Sequence, residues 1–113
     1  MISAIRVTAD TIRSVLFSSI TNSYLALGLV FANQVRMMRI VNATDGDIFI
    51  SLDGVNNHFF VPAGSFVLYD FTANKTTSSS TFVLPVGTQL YIKYSSAPSK
   101  LSVYAECIYA VGE

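Results

Sequence analysis

Residues 58–70, HFFVPAGSFVLYD, have a near echo in residues 81–94, TFVLPVGTQLYIKY. Each segment runs apolar residues into Pro-x-Gly, adds a hydroxyl residue and continues as an alternating apolar stretch. In Val61-Pro62-Ala63-Gly64 and Leu84-Pro85-Val86-Gly87, proline at the second turn position and glycine at the fourth is the type I turn pattern. Proline also ends ladder donation at a strand edge. Each segment therefore reads as strand, tight corner, strand. Two such corners fit a sandwich whose chain crosses between sheets twice. Pro-x-Gly is also common turn chemistry, so coincidence is the alternative account of the echo. Two copies are in any case too few for a solenoid.

Period-two alternation continues outward from the corners. Ile48, Ile50 and Leu52 share one face of DIFISLD, and Val67, Tyr69 and Phe71 oppose Phe66 and Leu68 in SFVLYDF. Leu90, Ile92 and Tyr94 oppose Tyr91 and Lys93, and Leu101, Val103, Ala105, Cys107 and Tyr109 oppose Ser102, Tyr104, Glu106 and Ile108. These are strand patterns, several with apolar residues on both faces, as when a second surface is covered. The turn-forming stretches NATDGD, LDGVNNH, NKTTSSST and SSAPSK separate them. About eight short strands are predicted, at 3–8, 12–18, 28–32, 35–42, 47–52, 58–61 with 65–71, 81–84 with 89–94, and 101–110. TADTIRSVLFSSI (8–20) is the one helix candidate, weakened by its β-branched residues. The fold class is all-β, an antiparallel sandwich forming a single domain over 1–113. Residues 35–113 are its core, and residues 1–34 supply outer strands or an arm.

Hydrophobic residues make up 51% of the 113, whereas Asp, Glu, Lys and Arg make up 12%, about half the usual share. That balance excludes disorder. It points to surface covered by a partner or by further copies, the alternative being a well-packed domain with a Ser/Thr/Asn surface. Formal charge is zero and the seven basic residues are scattered, which argues against nucleic acid. The longest uncharged apolar run, YLALGLVFA at 24–32, is far short of the ~20 residues of a membrane-spanning helix. No targeting segment is evident in MISAIRVTAD. Without one, the sequons at Asn42 and Asn74 read as chance.

The chemistry-bearing residues are few. The single histidine, His58, has Asp53 nearby in sequence but no nucleophile motif, and reads as a surface or interface residue rather than a general base. Asp45, Asp47 and Asp53 raise a calcium question, against the plainer reading that Asp and Asn beside Gly make turns. Cys107 is the only cysteine, so no internal disulfide forms, and alternation makes it a buried thiol. There is no Cys/His pair for zinc and no phosphate-binding loop. Tyr24, Tyr69, Tyr91, Tyr94, Tyr104 and Tyr109 suit a core or an interface better than a sugar platform. Arg36 and Arg39 have a spacing compatible with contact to an acidic partner. On this reading no residue is assigned a catalytic, cofactor-binding or metal-binding role.

One likeness goes beyond composition. RIVNATDGDIFISLDGVNNHFFVPAGSFVLYDFTANK (39–75) and FVLPVGTQLYIKYSSAPSKLSVYAECIYAVGE (82–113) carry the patterns N-x-T-D-x-D, S-x-D-G-V, F-x-P-A-G-S-F, G-T-Q-x-Y-x-K and V-Y-x-E-C-I-Y. In these the chain resembles small virion structural proteins of tailed bacteriophages. The resemblance covers residues 39–113 and weakens over the N-terminal third. It implies a jelly-roll-like fold and a non-enzymatic role in the virion, after assembly in the host cytoplasm. That role would be capsid cement or decoration, with a head-to-tail connector or ring-forming tail component as the alternative. It implies capsid or other virion proteins as partners, a homo-oligomer, and no catalytic residues, cofactor, nucleic acid or membrane. A small carbohydrate-binding sandwich using the tyrosines, with calcium at Asp45, Asp47 and Asp53, is the alternative from another class.

Overall fold

Alternation gives each strand a packed side and an open side, and the folded chain joins the packed sides of two sheets. The computed structural model describes residues 6–71 and 84–111. Its strands are β1 (Arg6–Ala9), β2 (Arg13–Leu16), β3 (Leu25–Ala26), β4 (Val35–Asn42), β5 (Ile48–Ser51), β6 (Phe59–Val61), β7 (Ser65–Asp70), β8 (Tyr91–Tyr94) and β9 (Ser102–Val111). The larger sheet runs β1/β2-β9-β4-β7, with β1 and β2 end to end along one edge of β9. The smaller runs β3-β8-β5-β6. All pairings are antiparallel. Counting β1 and β2 as one edge strand leaves eight positions in the order of a jelly roll, a two-sheet sandwich.

The core lies between the sheets. Met38, Ile40, Val103 and Ala105 of the larger sheet meet Ile48, Ile50, Val61 and Ile92 of the smaller, all fully buried. Each of these Met, Ile and Val side chains contributes about 2 kcal/mol by leaving water. Leu27, Phe31 and Leu90, from connecting segments, complete the cluster. In β4 the buried positions switch from odd (Val35) to even (Met38, Ile40, Asn42). A bulge between Val35 and Met37 makes the switch, since one unpaired residue reverses which face each later side chain takes.

Both Pro-x-Gly corners join the sheets, as the echo predicts. The first carries β6 of the smaller sheet into β7 of the larger. The second leads from Leu84, bridged to Val35 of β4, into β8 of the smaller sheet. Their turn type differs from the sequence reading. Ser65 N–H donates to Pro62 O and Thr88 N–H to Pro85 O, both at 3.2 Å, so proline is the first turn residue and glycine the third. Gly64 and Gly87 have φ of +70° and +89°, the left-handed value that the third position of a type II turn demands. The chain also crosses between sheets six times rather than twice, since only β5 and β6 are consecutive strands paired in one sheet.

Three further expectations need correction. The helix candidate is β2 followed by one 3-10 turn at Phe17–Ser19, because pairing with β9 offers Val15 a place opposite Val103. The strand expected at 28–32 is displaced to β3, since Gly28 at φ +73° turns the chain out of extended conformation. Alternation groups Leu101 with Val103 and Cys107, but it has φ +67° and is 57% exposed, ahead of where β9 begins. The expected strand at 81–84 is described only at Leu84, and the polar loop with the Asn74 sequon lies outside the described residues.

Asn42, at the end of β4, is fully buried and ties the first corner to the turn that follows β4. Its Nδ2 donates to Gly46 O at 2.8 Å, Val61 O at 3.0 Å and Pro62 O at 3.2 Å. Its Oδ1 accepts from Thr44 N at 3.0 Å and Thr44 Oγ1 at 2.6 Å. An amide spent in this way is closed to glycosylation in the folded chain. Asn42→Ala strands several buried groups at ~1–3 kcal/mol each, so a loss of about 3 kcal/mol is expected, allowing for relaxation. Thermal denaturation should show Tm lower by roughly 10 °C or more. A Tm within about 3 °C of the parent would mean that the amide is dispensable.

Candidate functional site

The outward side chains of the larger sheet form the broadest candidate surface. Register sets them in rows: Ser14, Tyr104, Val41 and Phe66 in one, then Glu106, Arg39 and Leu68, then Ile108, Met37 and Asp70. Apolar groups dominate, with Phe66 59% and Leu68 55% exposed. Arg39 and Glu106 are directly opposite on β4 and β9, and Arg39 Nε meets Glu106 Oε1 at 2.5 Å. The guanidinium also lies 5.8 Å from the centroid of the Phe66 ring. The hydrogen bond from Arg39 holds the Glu106 carboxyl below its ordinary range and raises the guanidinium. Arg39 is therefore engaged within the chain, and Arg36 sits at the bulge. Beside the pair, Met37, Met38, Arg39, Leu68, Glu106 and Ile108 line a groove of about 240 Å³.

The His58 region is a built loop. His58 Nδ1 accepts from Leu52 N–H at 2.9 Å, which leaves the ring proton on Nε2, 3.9 Å from Asp53 Oδ2. Asp53 Oδ1 accepts from Asn56 N, Val55 N and Ser51 Oγ, and Oδ2 from Asn56 Nδ2. These bonds, the Asn56 and Val55 amides foremost, hold the carboxyl far below its usual range. The carboxylate stands between Ser51 and His58, so the imidazole is not bonded to the hydroxyl as a nucleophile's base must be.

The other two carboxylates serve different turns. Asp45 accepts from Ser99 N at 2.6 Å and from the Ser99 hydroxyl, and that hydroxyl is the main reason its carboxyl is held low. Asp47 Oδ1 accepts from Ala63 N at 2.9 Å. Among the described residues no three His, Cys, Asp or Glu side chains gather as metal ligands. The turn account of these residues is the one the geometry carries.

Cys107 is 2% exposed on the inward face beside Val103 and Ala105, as alternation predicts. Burial pushes its thiol up to about 11. The tyrosines are dispersed. Tyr69 stacks with Phe71 and, 4.7 Å away, meets Phe59 against the core, where Tyr94 also packs. Tyr104 lies on the outer face, Tyr109 opposite Val35, and Tyr91 against Gly54. Tyr24 donates to Asn57 Oδ1 at 2.5 Å, and partial burial with the Asp53 charge pushes its phenol up.

Three arrangements were not legible in the sequence. Lys93 Nζ lies 4.8 Å from the Tyr24 ring centroid and 5.9 Å from that of Phe49, on the outside of the smaller sheet. Arg13, its side chain 10% exposed, reaches Leu29 O and Asp10 Oδ2, both at 3.1 Å, and lies 4.7 Å over Phe31. It floors a groove of about 400 Å³ whose rim includes Ile12, Leu29 and Val30. The Arg39–Glu106 pair is the third. Each depends on contacts between segments separated in sequence, which local patterning does not display.

Two measurements check this chemistry. A carboxylate whose folded pKa is depressed adds stability that is present above its unfolded value, ~3.9, and lost as pH falls through the folded value. NMR titration should therefore find the Asp53 carboxyl ionised at pH 3, with the Val55 and Asn56 amides moving only in stronger acid. A midpoint at or above about 4 would contradict the loop geometry. Cys107 should react with a disulfide reagent at pH 8 at least ~100-fold more slowly in the native chain than in denaturant, since the thiolate is the nucleophile. Equal rates would place the thiol at the surface. Compared with known proteins, the chain matches no family model, no curated protein and no solved structure.

Proposed function

We propose that this chain is a non-enzymatic structural protein of a bacteriophage virion, a cement or decoration protein that binds the head lattice and reinforces it. The observation that carries the reading is the outer face of the larger sheet. It is broad and apolar, and its central Arg39 and Glu106 neutralise each other. Soluble monomers rarely leave such a patch uncovered, and proteins seated on a lattice cover theirs against neighbours related by symmetry. The jelly-roll order is one that viral capsid and lectin domains share, so the fold admits the virion reading without deciding it. The resemblance of residues 39–113 to small virion proteins favours it over a lectin. So do the dispersed tyrosines and the separately engaged carboxylates, which offer a sugar no common platform.

Purified protein is expected to cosediment with phage heads that lack accessory proteins, saturating at a fixed number of copies per head. Binding confined to tails, or to the single vertex where the tail joins, would reassign the protein to the connector or tail. Binding to none of these parts overturns the virion reading.

A further inference from the structure

We infer that the outer face of the larger sheet is a self-association surface, on which a second copy of this chain docks about a two-fold axis passing near the Arg39–Glu106 pair. The inference deepens the assembly reading above and rests on it for context.

Charge selects the occupant. The face carries one cation, Arg39, and two anions, Glu106 paired with it at 2.5 Å and Asp70 at the β7 edge, and the whole chain has formal charge zero. A strongly anionic partner gains nothing from such a surface. A second copy turned by 180° sets its Glu106 toward Arg39 and its Arg39 toward Glu106, closing four alternating charges into a ring. An isologous contact requires this, since every residue pair then occurs twice.

Shape agrees with charge. Phe66 and Leu68 stand out from β7, and the groove of about 240 Å³ lies on the same face with Met37 and Ile108 in its wall. Projection and recess on one surface are what a copy needs in order to fit itself. The area is adequate but not large. Four strands at ~4.8 Å spacing, with ~3.3 Å per residue along β4, give a face of about 26 by 19 Å. Two such faces bury on the order of 1,000 Å², the lower bound for a specific interface. The dimer should therefore be reversible.

The test is sedimentation equilibrium of the full chain from about 1 to 500 μM, a range chosen for interfaces at the small end of the size scale. The expected result is a rise from one to two chain masses, with a midpoint at tens of micromolar, roughly. Leu68→Glu should hold the protein at one mass throughout. Arg39→Glu and Glu106→Arg each give the face two like charges, and each alone should also be monomeric. Mixed together, the two variants should recover the double mass, a rescue that a merely structural effect of either change does not produce. Circular dichroism reports whether each variant is folded. If a charge variant does not fold, Leu68→Glu, on a half-exposed side chain, decides alone. A parent chain that stays at one mass, or a dimer that survives Leu68→Glu, overturns the inference. Heads that bind a strictly monomeric protein refute this face and leave the virion reading standing. A dimer that binds no virion part does the reverse.

Discussion

The amide of Asn42 is the constraint on which the sandwich depends. Two sheets stacked through apolar side chains have no directional bond to fix their relative placement, because the hydrophobic effect is non-directional. Asn42 supplies direction. It leaves the end of β4 in the larger sheet and bonds the carbonyls where β6 of the smaller sheet turns toward β7. It also bonds the turn that carries the chain from β4 to β5. Thr44 extends the hold by donating to Asn42 Oδ1 and Gly46 O. Among the described residues no buried side-chain nitrogen or oxygen is left without a partner, so the network gains specificity without stranding a group.

Elements governed by local rules were legible. Alternation in DIFISLD, SFVLYDF and QLYIKYS groups Ile48 with Ile50, Val67 with Tyr69, and Leu90 with Ile92, and the structure packs each group against the core. The corners at Pro62 and Pro85 were legible as corners because glycine and proline restrict the backbone locally. Their turn type was not, because it depends on which carbonyl accepts the closing bond. Asn42 shows the limit most clearly. Asn-x-Thr-Asp is readable as turn chemistry, yet nothing local reveals that the amide also meets Val61 and Pro62, since that contact exists only once β6 has packed. The same holds for Arg39 and Glu106, 67 residues apart. At Leu101 the period-two rule failed because the backbone takes a left-handed value before β9 begins.

The polar residues of the loops divide the labour in a way that bears on function. Asp45, Asp47 and Asp53 each accept from backbone amides, so Asp45 and Asp47 fix connections before β5 and Asp53 the one after it. His58 is held by Leu52 N–H in the same manner. Groups committed to turn geometry in water-exposed loops are poorly placed to move protons for a substrate. The sheet faces, in contrast, are free of structural duty on their outer sides. Their side chains are placed by register and face parity and held by pairs such as Arg39–Glu106 and Phe49–Phe60.

An apolar face open to water carries a risk of unspecific adhesion, and the Arg39–Glu106 pair answers it. A wholly apolar face would accept any apolar surface in any orientation. Two opposite charges at its middle, partly exposed and hydrogen-bonded to each other, reject a partner that leaves them buried without polar company, because desolvation then exceeds what their own attraction returns. They tolerate a partner that supplies matching charges at matching positions. A polar pair at the centre of an apolar surface thus trades some affinity for register, as a lone polar residue does in a coiled-coil seam. The Arg39–Glu106 pair lies on the central strands β4 and β9, whereas Asp70 ends the edge strand β7. At an edge, water would reach them from the side and the discrimination would be lost. In the middle of the sheet, a partner docked on the face would enclose the pair and would have to match its charges to keep them satisfied.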